Sequence, residues 1–149
     1  MNNKPQVLFI CTGNSARSQM AEAFLNHYAG DFFDVRSAGL EPKGINPYTV
    51  RVMAEVGYDM SGHRSKSLRE FMGHTHSRYV ITVCSNADAS CPRGLWSSGE
   101  KLHWPFEDPA AFEGSEEEKL ARFRQIRDEI EQKILSWLRE IEIWPQIHA

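Results

Sequence analysis

The chain has 149 residues, which is enough for one domain with a sizeable hydrophobic core. Hydrophobic residues make up 41% and charged residues 25%, a balance that excludes an intrinsically disordered chain. The net charge of -3 argues against a surface for nucleic acid or anionic membrane. No apolar run approaches the roughly 20 residues of a membrane span, and no signal-peptide pattern is present. We therefore expect a cytoplasmic protein, in which three cysteines are not a fixed disulfide framework.

Apolar periodicity and turn residues predict four strands alternating with helices. The first strand, over residues 6–11, is a short apolar run rich in β-branched and aromatic residues, typical of a buried parallel strand. A helix over residues 18–29 follows it and stops at Gly30. The later predicted elements are a strand over 32–38, a helix from 47 to Gly57, a short helix over 67–72, strands over 79–84 and 101–104, and a long amphipathic helix from 115 that Pro145 ends.

This alternation predicts the fold class. Strands that alternate with helices form a parallel sheet with helices on both faces, so we expect one α/β domain over residues 1–149 with a four-stranded sheet. In such sheets, ligands bind beyond the carboxyl ends of the strands. Cys11 and Cys84 each end a predicted strand, and both thiols are therefore expected at that edge.

The segment between the first strand and the first helix is typical of an anion site. It reads Cys11-Thr12-Gly13-Asn14-Ser15-Ala16-Arg17, and Ser18 begins the predicted helix. A turn that leads into a helix start directs successive backbone N–H groups at one concave site, and an arginine fork can grip two oxygens of a tetrahedral anion. The segment lacks the Gly-Lys-Ser/Thr of nucleotide-binding loops. We expect residues 12–18 to hold an oxyanion that the thiolate of Cys11 attacks.

The other two cysteines, Cys84 and Cys91, stand seven positions apart. They could be ligands of zinc, but no second cysteine pair or histidine-rich partner accompanies them. A disulfide between them makes a geometric demand, because a helix over residues 84–91 would separate the Cα atoms by roughly 10.5 Å, whereas a disulfide needs them within about 7 Å. The segment would have to bend or unwind. Cys11 and Cys84 can meet if their strands are neighbours.

Residues 7–24, which include Cys-Thr-Gly-Asn-Ser-Ala-Arg-Ser-Gln-Met-Ala-Glu-Ala-Phe, resemble the low-molecular-weight tyrosine phosphatase superfamily. More narrowly, they resemble its thioredoxin-coupled arsenate reductases. The Ser-Ala-Gly at 37–39, Cys84 with Cys91-Pro92, and the run His-Trp-Pro-Phe-Glu-Asp-Pro-Ala at 103–110 fit the same family. The resemblance covers essentially the whole chain and implies a low-molecular-weight phosphatase-like fold. It also implies an enzyme of arsenic detoxification that reduces arsenate to arsenite.

The resemblance implies a role for each matching position. Cys11 attacks arsenate, Arg17 and the loop amides hold its oxygens, and Asp108 is the general acid that protonates the departing hydroxide. Cys84 then attacks the adduct of Cys11 with arsenic and releases arsenite. Cys91 attacks Cys84 and regenerates Cys11, and thioredoxin reduces the final disulfide. The implied partners are therefore arsenate and thioredoxin, the protein is expected to be a monomer, and no tightly bound cofactor is expected.

Some members of this family bind a potassium ion near the loop. Asn14, Glu22 and Ser37 match that site, but Lys66 stands where an aspartate is expected. A lysine can take the place of the cation, so we expect no required metal.

Two other functions fit parts of the pattern. A phosphotyrosine phosphatase shares Cys11, Arg17 and Asp108, but many such enzymes carry a second cysteine where this chain has Ala16, and a tyrosine pair after the aspartate where it has Ala111-Phe112. A non-enzymatic binding protein that uses its thiols as an oxyanion or redox switch is the other alternative. No DNA-binding motif or partner-binding extension supports the second.

Overall fold

A computed structural model describes residues 4–72, 76–84 and 99–143. Its centre is a sheet of four parallel strands in the order β2-β1-β3-β4. The strands are β1 Gln6–Cys11, β2 Asp34–Gly39, β3 Tyr79–Thr82 and β4 Glu100–His103. The helices are α1 Arg17–Ala29, α2 Pro47–Ala54 and α3 Glu116–Glu140, with short 3₁₀ helices at Leu68–Glu70 and Pro109–Ala111. The predicted α/β fold class with a four-stranded parallel sheet is confirmed.

Strand β1 occupies the middle of the sheet, and this position explains its composition. Val7, Leu8, Phe9 and Ile10 are fully buried, because strands flank β1 on both edges and helices cover the faces. Cys11 lies opposite Gly39 of β2, and Ile10 lies opposite Thr82 of β3. The loop after β1 therefore emerges between the carboxyl ends of two neighbouring strands.

Helix α3 packs its apolar stripe against the rest of the core. Ser115 caps the helix in a capping box, in which its Oγ accepts from Glu118 N and its backbone N–H donates to Glu118 Oε1. Trp137 is buried and stacks on Phe33, with ring centroids 5.8 Å apart. Within the described ranges, no helix has both the length and the apolar character that a bilayer crossing demands.

Several predicted boundaries differ from the observed ones. Strand β2 begins at Asp34 rather than residue 32, because the N–H groups of Phe32 and Phe33 bond to Ala29 and close helix α1. Strand β3 ends two residues before Cys84. The predicted helix over 67–72 is a single 3₁₀ turn, capped by Ser67. Helix α3 ends at Glu140, followed by Glu142 with a positive φ of 63°, so Pro145, which lies outside the described residues, does not end it.

A cluster of charges joins the end of α2 to α3. The Glu55 carboxylate accepts hydrogen bonds from Arg124, at 2.7–3.1 Å, and from Arg127 at 3.1 Å. The bonds from Arg124 make the largest contribution to holding the pKa of Glu55 at about 2, against an ordinary value of 4.5. A carboxyl whose pKa is lowered by folding stabilises the fold above its unfolded pKa, and this stabilisation disappears as the pH falls through the folded pKa.

We predict that Glu55→Gln lowers the free energy of unfolding at neutral pH, because the two arginines lose a charged partner. The difference from the unsubstituted protein should shrink as the pH falls from about 4.5 to about 2. Urea unfolding across this pH range measures it. Glu113→Gln, at an exposed carboxylate, is the control. A difference that stays constant down to pH 2 contradicts the assignment.

Candidate active site

The loop from Cys11 to Arg17 is held by the segment that follows β2. Backbone N–H groups of residues 40–46 donate to loop carbonyls at 2.8–3.2 Å; the pairs are Leu40 to Cys11, Glu41 to Thr12, Lys43 to Gly13 and Asn46 to Ser15. Side-chain hydroxyls add two bonds, from Ser65 to the Gly13 carbonyl and from Thr49 to the Ser15 carbonyl. The carbonyl edge of the loop therefore faces this neighbouring segment.

The N–H edge of the loop faces the other way. In a planar trans peptide, the C=O of one residue and the N–H of the next point in opposite directions. The N–H groups of Gly13, Asn14 and Ala16 thus point away from residues 40–46. Asn14 N shows where this edge lies, because it donates to Cys11 Sγ at 3.2 Å. Ala16 is the N-cap residue of α1, and its methyl group cannot accept a hydrogen bond, so the first N–H groups of the helix add to the same edge.

Asn14 holds the loop in this conformation. Its backbone has a φ of 47°, a left-handed conformation that asparagine adopts more readily than most residues. Its side chain is fully buried, and the oxygen accepts from Lys66 N at 2.8 Å and from Gln19 Nε2 at 2.9 Å. The amide nitrogen donates to Ser18 at 2.8 Å and Ser37 at 3.0 Å. Because a backbone N–H can only donate, the bond from Lys66 fixes which amide atom is the oxygen.

Cys11 is 2% exposed, and its sulfur lies at the base of the loop. Ser18 Oγ lies 2.8 Å from it, in addition to the bond from Asn14 N. Ser18 Oγ already accepts from the Asn14 amide, which leaves its own proton to donate to the sulfur. Both groups thus lie within hydrogen-bonding distance of the sulfur at the base of the loop.

Arg17 and Asp108 come together from distant parts of the chain. The guanidinium of Arg17, at the start of α1, donates from Nη1 to the Phe106 carbonyl at 3.1 Å, and its Nη2 lies 3.8 Å from Asp108 Oδ2. Asp108 Oδ1 accepts from Ala110 N and caps the second 3₁₀ helix, so Oδ2 is the oxygen directed to Arg17. The Asp108 side chain is 44% exposed, which gives its carboxyl access to solvent protons.

Cys84 lies in the connection that follows β3, the strand that neighbours β1. Its Sγ is 3.3 Å from the hydroxyl of Thr12, the residue after Cys11. β1 and β3 are hydrogen-bonded neighbours, as the meeting of the two thiols requires. Both thiols are free and buried. Cys91 and the rest of residues 85–98 lie outside the described residues, so its pairing with Cys84 and the bending of this segment stay predictions.

The sequence predicts no role for Gln19 or Gly39, although both lie in segments that carry the family resemblance. Gln19 Nε2 bonds to Asn14 and to the Arg64 carbonyl, and its Oε1 faces His63 Nδ1 at 3.2 Å. Gln19 is fully buried, and no local pattern in the sequence distinguishes it from an exposed glutamine on helix α1. Gly39 packs directly beneath the loop backbone.

The residues that match a potassium site lie around the ammonium group of Lys66. Lys66 Nζ lies 3.4 Å from Ser37 Oγ and 3.6 Å from Glu22 Oε1, so an ammonium group occupies the position beside them. Among residues 4–72, 76–84 and 99–143, no group of three or more His, Cys, Asp or Glu is arranged to hold a metal ion.

Comparison with known proteins places this site in a family. Residues 6–144 match the family described as low molecular weight phosphotyrosine protein phosphatase. The chain belongs to this family. Over 132 residues it is 46% identical to a protein named arsenate reductase from Halalkalibacterium halodurans, which covers 89% of this chain and 94% of that one.

Solved structures agree with the family assignment. A structure described as an arsenate reductase in the phosphate binding state has a TM-score of 0.76 at 29% identity, and covers 92% of this chain and 98% of that one. The thioredoxin-dependent arsenate reductase of Corynebacterium glutamicum has a TM-score of 0.66 at 34% identity, and covers 97% of this chain and 62% of that one. The low-molecular-weight phosphatase-like fold is thus shown.

We predict that Gly39→Ala disrupts the loop. An added Cβ would lie 2.8 Å from both Asn14 N and Thr12 O, which are backbone atoms that cannot rotate away. A loop displaced by about 1 Å can cost on the order of 100-fold in a positioned reaction. Phosphate, a non-reacting oxyanion, should therefore protect Cys11 from alkylation much less well in this variant.

Gly62→Ala is the matched control, since a Cβ at Gly62 meets nothing within 4 Å. It should keep the protection by phosphate unchanged. Equal protection in the two variants contradicts the packing argument, and urea unfolding shows whether each variant remains folded.

Proposed function

We propose that this protein is an arsenate reductase that uses Cys11 as its nucleophile. The observation that carries the proposal is the placement of two free thiols at one edge of the sheet, with Cys11 in an oxyanion loop and Cys84 bonded to that loop through Thr12. A phosphatase of this family needs only the first thiol. The names of the relatives, which are arsenate reductases, support the same activity.

The first step forms a bond between sulfur and arsenic. The loop N–H groups and Arg17 hold the arsenate oxygens, and the Cys11 thiolate attacks arsenic(V). An arsenic–oxygen bond breaks, and Asp108 protonates the departing hydroxide, which leaves as water. Arg17 has to turn from Phe106 and Asp108 toward the anion, and Asp108 Oδ2, freed from that contact, is the oxygen placed to carry the proton.

The second step transfers the electrons. The Cys84 thiolate attacks the sulfur of Cys11, a disulfide forms, and the sulfur–arsenic bond breaks. The electron pair of that bond stays on arsenic, which is thereby reduced from arsenic(V) to arsenic(III) and leaves as arsenite. Cys91 then attacks Cys84 and releases the Cys11 thiolate. A dithiol of the thioredoxin class reduces the Cys84–Cys91 disulfide, and the thioredoxin-dependent relative from Corynebacterium glutamicum supports this choice of donor.

A phosphotyrosine phosphatase is the second candidate. The family match favours it, because Cys11, Arg17 and Asp108 suffice for attack on a phosphate ester and protonation of its leaving group. It makes no use of Cys84 or Cys91. The two functions therefore differ in their dependence on the second and third thiols.

We predict that arsenate with thioredoxin, thioredoxin reductase and NADPH gives steady NADPH consumption and one arsenite per NADPH. Cys91→Ser should stop multiple turnover yet still release one arsenite per protein, because the Cys11–Cys84 disulfide forms and cannot be passed on. Cys11→Ser should release none. The arsenite released by the unsubstituted protein, Cys91→Ser and Cys11→Ser is quantified after each is mixed with the same reagents.

The matched control is hydrolysis of an aryl phosphate by the same proteins. Cys91→Ser should hydrolyse it at the unsubstituted rate, since that reaction needs only Cys11. Efficient aryl phosphate turnover without arsenate-dependent NADPH consumption would overturn the reductase and favour the phosphatase.

A further inference from the structure

Lys66 lies beneath the oxyanion loop with its ammonium among oxygen atoms. Nζ is 3.1 Å from the Arg64 carbonyl, 3.4 Å from Ser37 Oγ and 3.6 Å from Glu22 Oε1. The side chains of Lys66 and Glu22 are each only 13% exposed. A lysine so far withdrawn from water is unusual unless its charge is compensated, and Glu22 supplies that compensation.

Three atoms of Lys66 form hydrogen bonds with residues that support the loop. Its N–H donates to Asn14 Oδ1 at 2.8 Å, and its carbonyl accepts from Gly39 N at 2.8 Å. Its ammonium donates to Ser37 Oγ, which also accepts from the Asn14 amide nitrogen. The oxygen of the Asn14 amide is thus bonded to Lys66 directly, and its nitrogen is connected to Lys66 through Ser37. Since Asn14 in turn bonds Ser18, whose Oγ contacts the sulfur of Cys11, a shift of Lys66 reaches the nucleophile through a chain of three hydrogen bonds.

The charge of Lys66 also has a local function. Glu22 contacts His63 Nδ1 at 3.1 Å on one side and Lys66 on the other. Without the ammonium, a mostly buried carboxylate would face Ser37 and the Arg64 carbonyl, both of which present oxygen atoms. Such a set of oxygens is what a small monovalent cation would bind, and in this chain the cation is covalently attached.

We propose that Lys66 is a positioning residue whose tethered ammonium replaces a bound monovalent cation and keeps Asn14, and through it the oxyanion loop, in the reactive conformation. The proposal rests on the proposed function in one respect only: arsenate reduction is the reaction whose rate Lys66 affects. Two consequences follow. The unsubstituted protein works equally well with or without potassium, and removal of the lysine side chain makes the protein dependent on an added cation.

The test compares Lys66→Ala, Lys66→Arg and Arg36→Met. Arg36 lines the same surface pocket but pairs with Asp34, so its variant removes one positive charge without touching the loop. Loss of a hydrogen bond made by a charged group corresponds to roughly tenfold. Lys66→Ala should therefore show an about tenfold slower alkylation of Cys11 by iodoacetamide, followed on the peptide that carries Cys11, and a similar rise of the KM for arsenate.

Potassium chloride or ammonium chloride should restore Lys66→Ala toward the unsubstituted rates, whereas tetramethylammonium chloride at equal ionic strength, whose cation is too large, should not. Lys66→Arg should retain most of the reactivity, and Arg36→Met all of it. Full reactivity of Cys11 in Lys66→Ala overturns the proposal, and so does a loss of reactivity that neither small cation restores. Urea unfolding in each salt identifies a loss of reactivity that is due to lower stability alone. Because alkylation needs no arsenate, these results stand apart from whether the protein reduces arsenate.

Discussion

The buried amide of Asn14 determines the shape of the oxyanion loop. All four of its hydrogen-bonding positions are used, by Lys66, Gln19, Ser18 and Ser37, and its backbone takes the left-handed conformation at the turn. Loss of any one partner would leave one hydrogen-bonding position of this buried amide unfilled, at a cost of about 1 kcal/mol. The loop is therefore preorganised, and in the proposed function its geometry is set before the oxyanion arrives.

The position of the loop in the sheet connects anion binding to thiol chemistry. β1 is central, so the loop that follows it lies between the ends of β2 and β3. β2 contributes Gly39, which has no side chain to obstruct the loop, and Ser37, which supports Asn14. The connection after β3 contributes Cys84, bonded to Thr12. In the proposed reaction, one edge of a parallel sheet thus supplies the nucleophile, its support and the next thiol.

Local patterns in the sequence were sufficient to predict the strand, loop and helix around Cys11, because an apolar run, turn residues and a helix start are read over a few neighbouring positions. The parallel sheet followed from the alternation of elements, whereas the pairing of β1 with β3 was a condition that the sequence left open and that only the structure supplies. The role of Gln19 could not be predicted, since its partners at Asn14 and Arg64 are chosen by tertiary packing. Strand β3 was predicted too long for a similar reason: apolar character continues to Cys84, whereas pairing with β4 ends at Thr82.

In the proposed reaction, Cys11 starts a relay that ends on the other two thiols. Disulfide mapping by mass spectrometry can follow this relay after the reduced protein has received one equivalent of arsenate and no external reductant. We expect a disulfide between Cys84 and Cys91, a free thiol at Cys11 and one arsenite per protein. Three reduced thiols with arsenate unchanged would contradict it.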